Sequence, residues 1–239
     1  MSEDFVATPV GTARITWYPA RGRVRAVALL GHGSATGIES ADLQALAAAL
    51  PPRGITVALV TQPYRLEANP VVAGEASLDL AWTAVWPAAA RLDAPVIAGG
   101  RSAGAQVACR TASELGARAV LALAYPMLGP GSPAELLATG RPTLVVQGGS
   151  DPFGRPGQFP PLPPGIEMAE IASASHTFGT RTGLPPSGTM TLITTAVTGW
   201  IDRQLSTAHP YSWPARAGNG PAYVWVTGGF PEPPMSRRQ

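Results

Sequence analysis

Gly99-Gly100-Arg101-Ser102-Ala103-Gly104 is the stretch whose reading decides the fold. It joins an apolar run, Val96-Ile97-Ala98, to an Ala-rich segment, Ser102 to Leu115, that reads as a helix. G-x-S-x-G between a strand and a helix is the pattern of a nucleophile elbow, a strained turn that holds a serine hydroxyl clear of a sheet. Gly100 and Gly104 supply the small residues that let neighbouring backbones approach such a turn. The same letters in an Ala/Gly-rich chain also arise as an ordinary tight turn, so the surroundings must carry the weight.

Working outward, apolar runs and helical patterns alternate. Val24 to Leu30 reads as a buried strand ending in Gly31-His32-Gly33. Ile38 to Leu50 carries Leu43, Leu46, Ala47 and Leu50 at helical spacing, with Ser40 and Asp42 near its start. Ile55 to Val60 is the next strand, and Ser77 to Leu92 a helix kinked or restarted at Pro87. Ala119 to Ala124, Thr143 to Val146 and Ile166 to Ile171 complete the strands, and Met190 to Leu205 is the last helix. Phe5 to Thr8 and Ala13 to Tyr18 read as an antiparallel pair turned at Gly11. Continuous apolar strands are covered on both faces, so the expected class is α/β, a parallel sheet flanked by helices. Pro152 to Gly165 is dense in Pro and Gly where a crossover helix is expected, so that helix should be shortened or lost. The expected organisation is one domain over 1–205 and a Pro/Gly-rich, flexible C-terminal tail over 206–239.

Composition removes several function classes. The chain has 239 residues, 45% hydrophobic and 13% charged, which suits a buried core and excludes disorder throughout. No apolar run approaches the ~18–20 residues of a membrane helix, and the acidic start Met1-Ser2-Glu3-Asp4 does not read as a signal peptide. One cysteine, Cys109, and the dispersed His32, His176 and His209 offer neither an internal disulfide nor a local metal motif. All 17 basic residues are Arg, and the net charge of +2 sits in the tail, where Arg216, Arg237 and Arg238 oppose Glu232. Arg21, Arg23 and Arg25 cluster without interleaved aromatics, so no nucleic-acid face is expected. The chain reads as cytoplasmic, acting without metal or cofactor, with neither nucleic acid nor membrane as partner.

Three further motifs follow strands. Gly31-His32-Gly33-Ser34 can offer a backbone N–H to an oxyanion, with Ser34 or Gly33 as donor beside Ala103, the residue after the candidate nucleophile. The His32 side chain reads as a structural residue of that loop. Gln147-Gly148-Gly149-Ser150-Asp151-Pro152 sets an acid at a strand end, although Asp-Pro also starts ordinary turns. Ser173-Ala174-Ser175-His176 sets a histidine after the last strand. Together they give Ser102, Asp151 and His176 in the chain order Ser…Asp…His. The chemistry needs all three. A serine is a weak nucleophile until an imidazole accepts its proton, and the acid fixes the imidazole tautomer. Tyr64, Arg65, Gly33 and Arg101 are candidate pocket residues, although anchoring of neighbouring loops is the favoured reading of Arg101. Cys109 reads as core filler.

The set LLGHGS, TQPYR, GGRSAG, AYP, VVQGGSDPFG and SASHTF resembles the α/β-hydrolase superfamily. Within it the chain is most similar to the small lidless branch of dienelactone-hydrolase-like enzymes, a testis-expressed hydrolase-like protein and a subunit of a chromatin acetyltransferase complex. The resemblance covers Val24 to Leu205. It implies an eight-stranded, mostly parallel sheet with strand 2 antiparallel, no cap domain, and a Ser/Asp/His site at the C-terminal edge. Ala103, Ala105 and Gln106 stand where that branch more usually has bulkier or basic residues. The expected function is a serine hydrolase of small-molecule esters or thioesters, working through an acyl-enzyme. The alternatives are a catalytically silent binding module or complex subunit of the same fold, and a peptidase or dienelactone-type hydrolase.

Overall fold

The computed structural model describes residues 1–68, 70–128, 132–180 and 186–206. The expected tail lies, from residue 207 onward and with His209, outside the described residues.

Eight strands form one sheet in the order β1-β2-β4-β3-β5-β6-β7-β8. The first two, β1 (Ser2–Thr8) and β2 (Gly11–Tyr18), make the hairpin, and β2 pairs antiparallel with both β1 and β4. Gly11 enters it at φ +116°, where an L side chain is strained, and the Thr8 hydroxyl donates to its carbonyl at 2.6 Å. The strands β3 (Ala26–Gly31), β4 (Ile55–Thr61), β5 (Val96–Arg101), β6 (Ala119–Leu123), β7 (Thr143–Gly148) and β8 (Ile166–Ile171) run parallel. Their C-terminal ends therefore share one edge of the sheet.

The continuous apolar runs have the expected cause. Along β3, Val27 and Leu29 enter one core with Trp82, Val85 and Val107, while Ala26, Ala28 and Leu30 enter the other with Leu43, Leu46 and Trp200. Each face is covered by helices. The first core is roofed by α2 (Glu75–Ala90), α3 (Ala103–Thr111) and the short α4 (Pro133–Leu137), the second by α1 (Ala41–Ala49) and α5 (Pro186–Ser206).

The structure differs from the expected elements at Pro87 and at several element ends. Pro87 lies inside α2 without ending it. The helix after the elbow stops at Thr111 rather than Leu115, and α5 starts at Pro186 rather than Met190. Between β7 and β8 the described chain has only a 3₁₀ turn at Pro156–Gln158, because proline-rich sequence cannot supply the donors of a crossover helix. No cap is inserted between β6 and β7, where α4 is the one helix among the described residues.

Candidate active site

Ser102 closes β5 and opens α3 with φ +50° and ψ −116°, a conformation that a residue with a Cβ adopts only under constraint. The constraint is visible. The Ser102 N–H donates to Leu123 O at 2.9 Å, which extends the β5–β6 ladder into the turn. Behind it three glycines meet. A Cβ on Gly104 would stand 2.6 Å from the Gly31 carbonyl oxygen and 2.8 Å from that of His32, and one on Gly100 would stand 2.6 Å from Gly31 O. Any side chain there would push β3 and α3 apart, which is why the motif needs glycine at those positions.

Asp151 sits just past β7 and is completely buried. Its carboxyl group receives three donors. The Phe153 N–H reaches Oδ1 at 2.8 Å, while Gln147 Nε2 and His176 Nδ1 reach Oδ2 at 3.0 and 2.8 Å. Because Asp151 accepts, the proton is on Nδ1, and His176 Nε2 is left free to accept from Ser102 Oγ at 3.0 Å. The Phe153 ring packs against the imidazole, with centroids 4.6 Å apart. The acid and histidine loops are joined through Ser150 N–H to Ala174 O and Gly149 N–H to Ile171 O, each 2.9 Å. Gly148 permits this contact, since a Cβ there would lie 2.7 Å from Ser175 O.

The loop after β3 lies beside the serine. A Cβ on Gly33 would be 3.4 Å from Ser102 Cβ. Ala103 is the first residue of α3, so its N–H precedes the first intrahelical bond, and the half-buried Ser34 follows Gly33. The His32 ring is held in one tautomer. Gln62 N–H donates to its Nε2 at 3.1 Å, so Nδ1 carries the proton and contacts Gly33 O at 2.7 Å. Burial holds this imidazole below the ordinary histidine range, which keeps it neutral.

The remaining sequence candidates fall as follows. Tyr64 is buried edge-on to His32, with ring centroids 5.9 Å apart, and burial raises its phenol. Arg65 pairs with Glu39 at 3.8 Å near the surface. Arg101, 4% exposed, is tied to Asp42 and to the His176 backbone. Cys109 is buried in the core, and desolvation pushes its thiol up. Three residues of the site were not assigned from sequence: Gln147, Phe153 and Asp42. Gln147 carried a readable signal, a polar side chain within the apolar run Thr143 to Gly148, which must find partners when buried. Its amide donates to Asp151, Tyr125 O and Gly154 O. Among the described residues no group of three or more His, Cys, Asp or Glu side chains is placed to hold a metal ion. No described helix is long and apolar enough to cross a membrane.

Residues 24–201 match the family model of the alpha/beta hydrolase domain. Among curated proteins there is no match. Similar solved structures include an alpha-beta serine hydrolase homologue from Coxiella burnetii, at 17% identity and a TM-score of 0.71, covering 84% of this chain and 97% of that one. An α/β serine hydrolase without lid from Xanthomonas campestris aligns at 19% identity and a TM-score of 0.67, covering 87% and 96%. Dienelactone hydrolase from Anabaena variabilis aligns at 19% identity and a TM-score of 0.66, covering 84% and 96%.

Proposed function

The chain belongs to the alpha/beta hydrolase domain family, and from that premise we propose that it is a serine hydrolase of small carboxylic esters, with thioesters as the related class. The observation that carries this reading is the unbroken chain Ser102 Oγ, His176 and Asp151, at 3.0 and 2.8 Å, on a backbone strained at the serine. Ser102 Oγ attacks the carbonyl carbon as His176 Nε2 takes its proton. The backbone N–H groups of Ala103 and Ser34 are assigned as the donors to the oxyanion that forms. The intermediate then expels the alcohol, protonated by His176, and leaves an acyl group on Ser102. Water, deprotonated by the same imidazole, releases the acid and restores the enzyme. Asp151 orients the imidazole and stabilises it while it carries the extra proton. Its partner is thus a small-molecule ester, and no cofactor enters the cycle. We place this activity in the cytoplasm, where a lone buried thiol suits the reducing conditions.

The substrate should be short. Among the described residues between β6 and β7, α4 is the one helix and no cap subdomain is present. Each methylene removed from water is worth about 0.8 kcal/mol, and an uncapped groove gains that increment for the first carbons alone. Across a p-nitrophenyl ester series, kcat/KM is expected to peak at roughly two to six acyl carbons, by that reasoning, and then decline. The rate should show no jump above the substrate's critical micelle concentration. A maximum at long chains, or interfacial activation, would contradict this reading of the substrate.

A further inference from the structure

We propose that Arg101 is a positioning residue that locks the His176 loop to the nucleophile elbow, with Asp42 of α1 as its fixed counter-anion. The proposal rests on the serine-hydrolase reading of Ser102 and His176.

Arg101 precedes Ser102, and its guanidinium turns inward: it is 4% exposed, and Asp42 is 2% exposed. Its Nε lies 3.2 Å from Asp42 Oδ2, a charge contact rather than an aligned hydrogen bond, and Asp42 Oδ1 accepts the Leu43 N–H at 3.0 Å. Its Nη2 donates to the backbone carbonyl of His176 at 2.6 Å. Its Nη1 lies beneath the loop after β3, 3.2 Å from where a Gly33 Cβ would be. One planar group thus bonds the peptide of the proton acceptor and lies close to the loop after β3, and its own backbone continues into the serine. These three segments are far apart in sequence and meet here.

A buried charge of this kind is poorly explained as a source of stability, because ion pairs in cores are often no better than apolar replacements. The fork geometry of a guanidinium, with donors fixed in one plane, is what a lysine cannot reproduce. Arg101 is also a poor receptor for an acidic substrate group, since its charge already faces Asp42 and it has almost no exposed surface. Fixing the His176 loop to the elbow, with Asp42 as counter-anion, is the role that uses both of these contacts. The histidine gains from this directly. Its ring is held by Asp151 and Phe153, but its backbone is held by Arg101.

The test uses the full chain and the variants Arg101→Met, Arg101→Lys and Asp42→Asn. Turnover of p-nitrophenyl acetate is normalised to active sites counted by fluorophosphonate titration, so a smaller folded fraction does not enter kcat. Loss of positioning by about 1 Å is worth up to ~10²-fold. Arg101→Met is therefore expected to lower kcat per site by about 10–100-fold with KM within about threefold. Arg101→Lys should recover part of the loss. Asp42→Asn, which leaves the guanidinium but frees it from α1, should show a smaller loss in the same direction. Proton NMR supplies a readout that needs no substrate. The downfield Nδ1 proton of His176, absent from a His176→Gln control, should broaden or vanish in Arg101→Met. Wild-type kcat per site with an unchanged imidazole proton in Arg101→Met would overturn the proposal, even with a lower Tm. If Arg101→Met does not fold, Asp42→Asn decides, and wild-type values of both readouts there would overturn it. A wild-type chain that neither labels nor hydrolyses esters would instead overturn the serine-hydrolase reading, while the NMR comparison would still judge the tie itself.

Discussion

Replacing His176 with alanine is expected to lower kcat by about 10⁴–10⁶-fold, the range of a triad knockout. The size of the effect follows from what remains. Without the imidazole, Ser102 Oγ loses the acceptor at 3.0 Å, and the serine must be deprotonated by water. The fold should survive the change. The His176 side chain is 17% exposed, and Asp151 keeps two of its three donors, the Gln147 amide and the Phe153 N–H. Far-UV circular dichroism and Tm should stay near those of the wild type while ester turnover disappears. A folded His176→Ala protein with turnover within tenfold of the wild type would remove the histidine from the mechanism.

Asp151→Asn is expected to reduce kcat by about 10²–10⁴-fold through the wrong imidazole tautomer. The three donors around this side chain explain why an amide cannot substitute for a carboxylate. With the Asn oxygen in the place of Oδ1, its NH₂ faces both the Gln147 amide and His176 Nδ1. The histidine must then carry its proton on Nε2, where it blocks acceptance from Ser102. With the oxygen in the place of Oδ2, the NH₂ opposes the Phe153 N–H. The first arrangement sets amide against amide, and the second leaves the buried Phe153 N–H unsatisfied, which costs about 1–3 kcal/mol of stability. Activity and Tm should therefore fall together, unlike the His176→Ala case. An Asp151→Asn protein within tenfold of wild-type kcat would show that the acid does not orient the base.

Much of this architecture is legible in local sequence, and the reason is physical. Strands buried on both faces read as unbroken apolar runs, as in β3 and β6. The elbow is legible because glycines at 100 and 104 are required by backbones only 2.6 Å from where their Cβ atoms would be. The order Ser102, Asp151, His176 survives in sequence because each residue follows a strand of one parallel sheet. The partners of the triad are not legible in the same way. Asp42 lies on α1, far in sequence from Arg101, and no local pattern ties the two together. Phe153 follows Asp151 closely, but its contact with His176 depends on how the β7 and β8 loops pack, which Gly148 allows. Helix ends shifted for a similar reason. Ala112 to Leu115 carry helical residues, yet the chain leaves the helix through Gly116 at φ +70° to reach β6. Which apolar residue is buried can be read from pattern, whereas which polar residue meets which follows from the assembled loops.

If Ser102 is the nucleophile, a fluorophosphonate should modify it covalently. The full chain would be treated with a fluorophosphonate, digested and sequenced by mass spectrometry, alongside Ser102→Ala. One adduct is expected on the wild-type chain, on the peptide containing Ser102, with ester hydrolysis lost in proportion to labelling, and no adduct on Ser102→Ala. An adduct on a different residue, equal labelling of Ser102→Ala, or a wild-type chain that hydrolyses esters while Ser102 stays unmodified would contradict it.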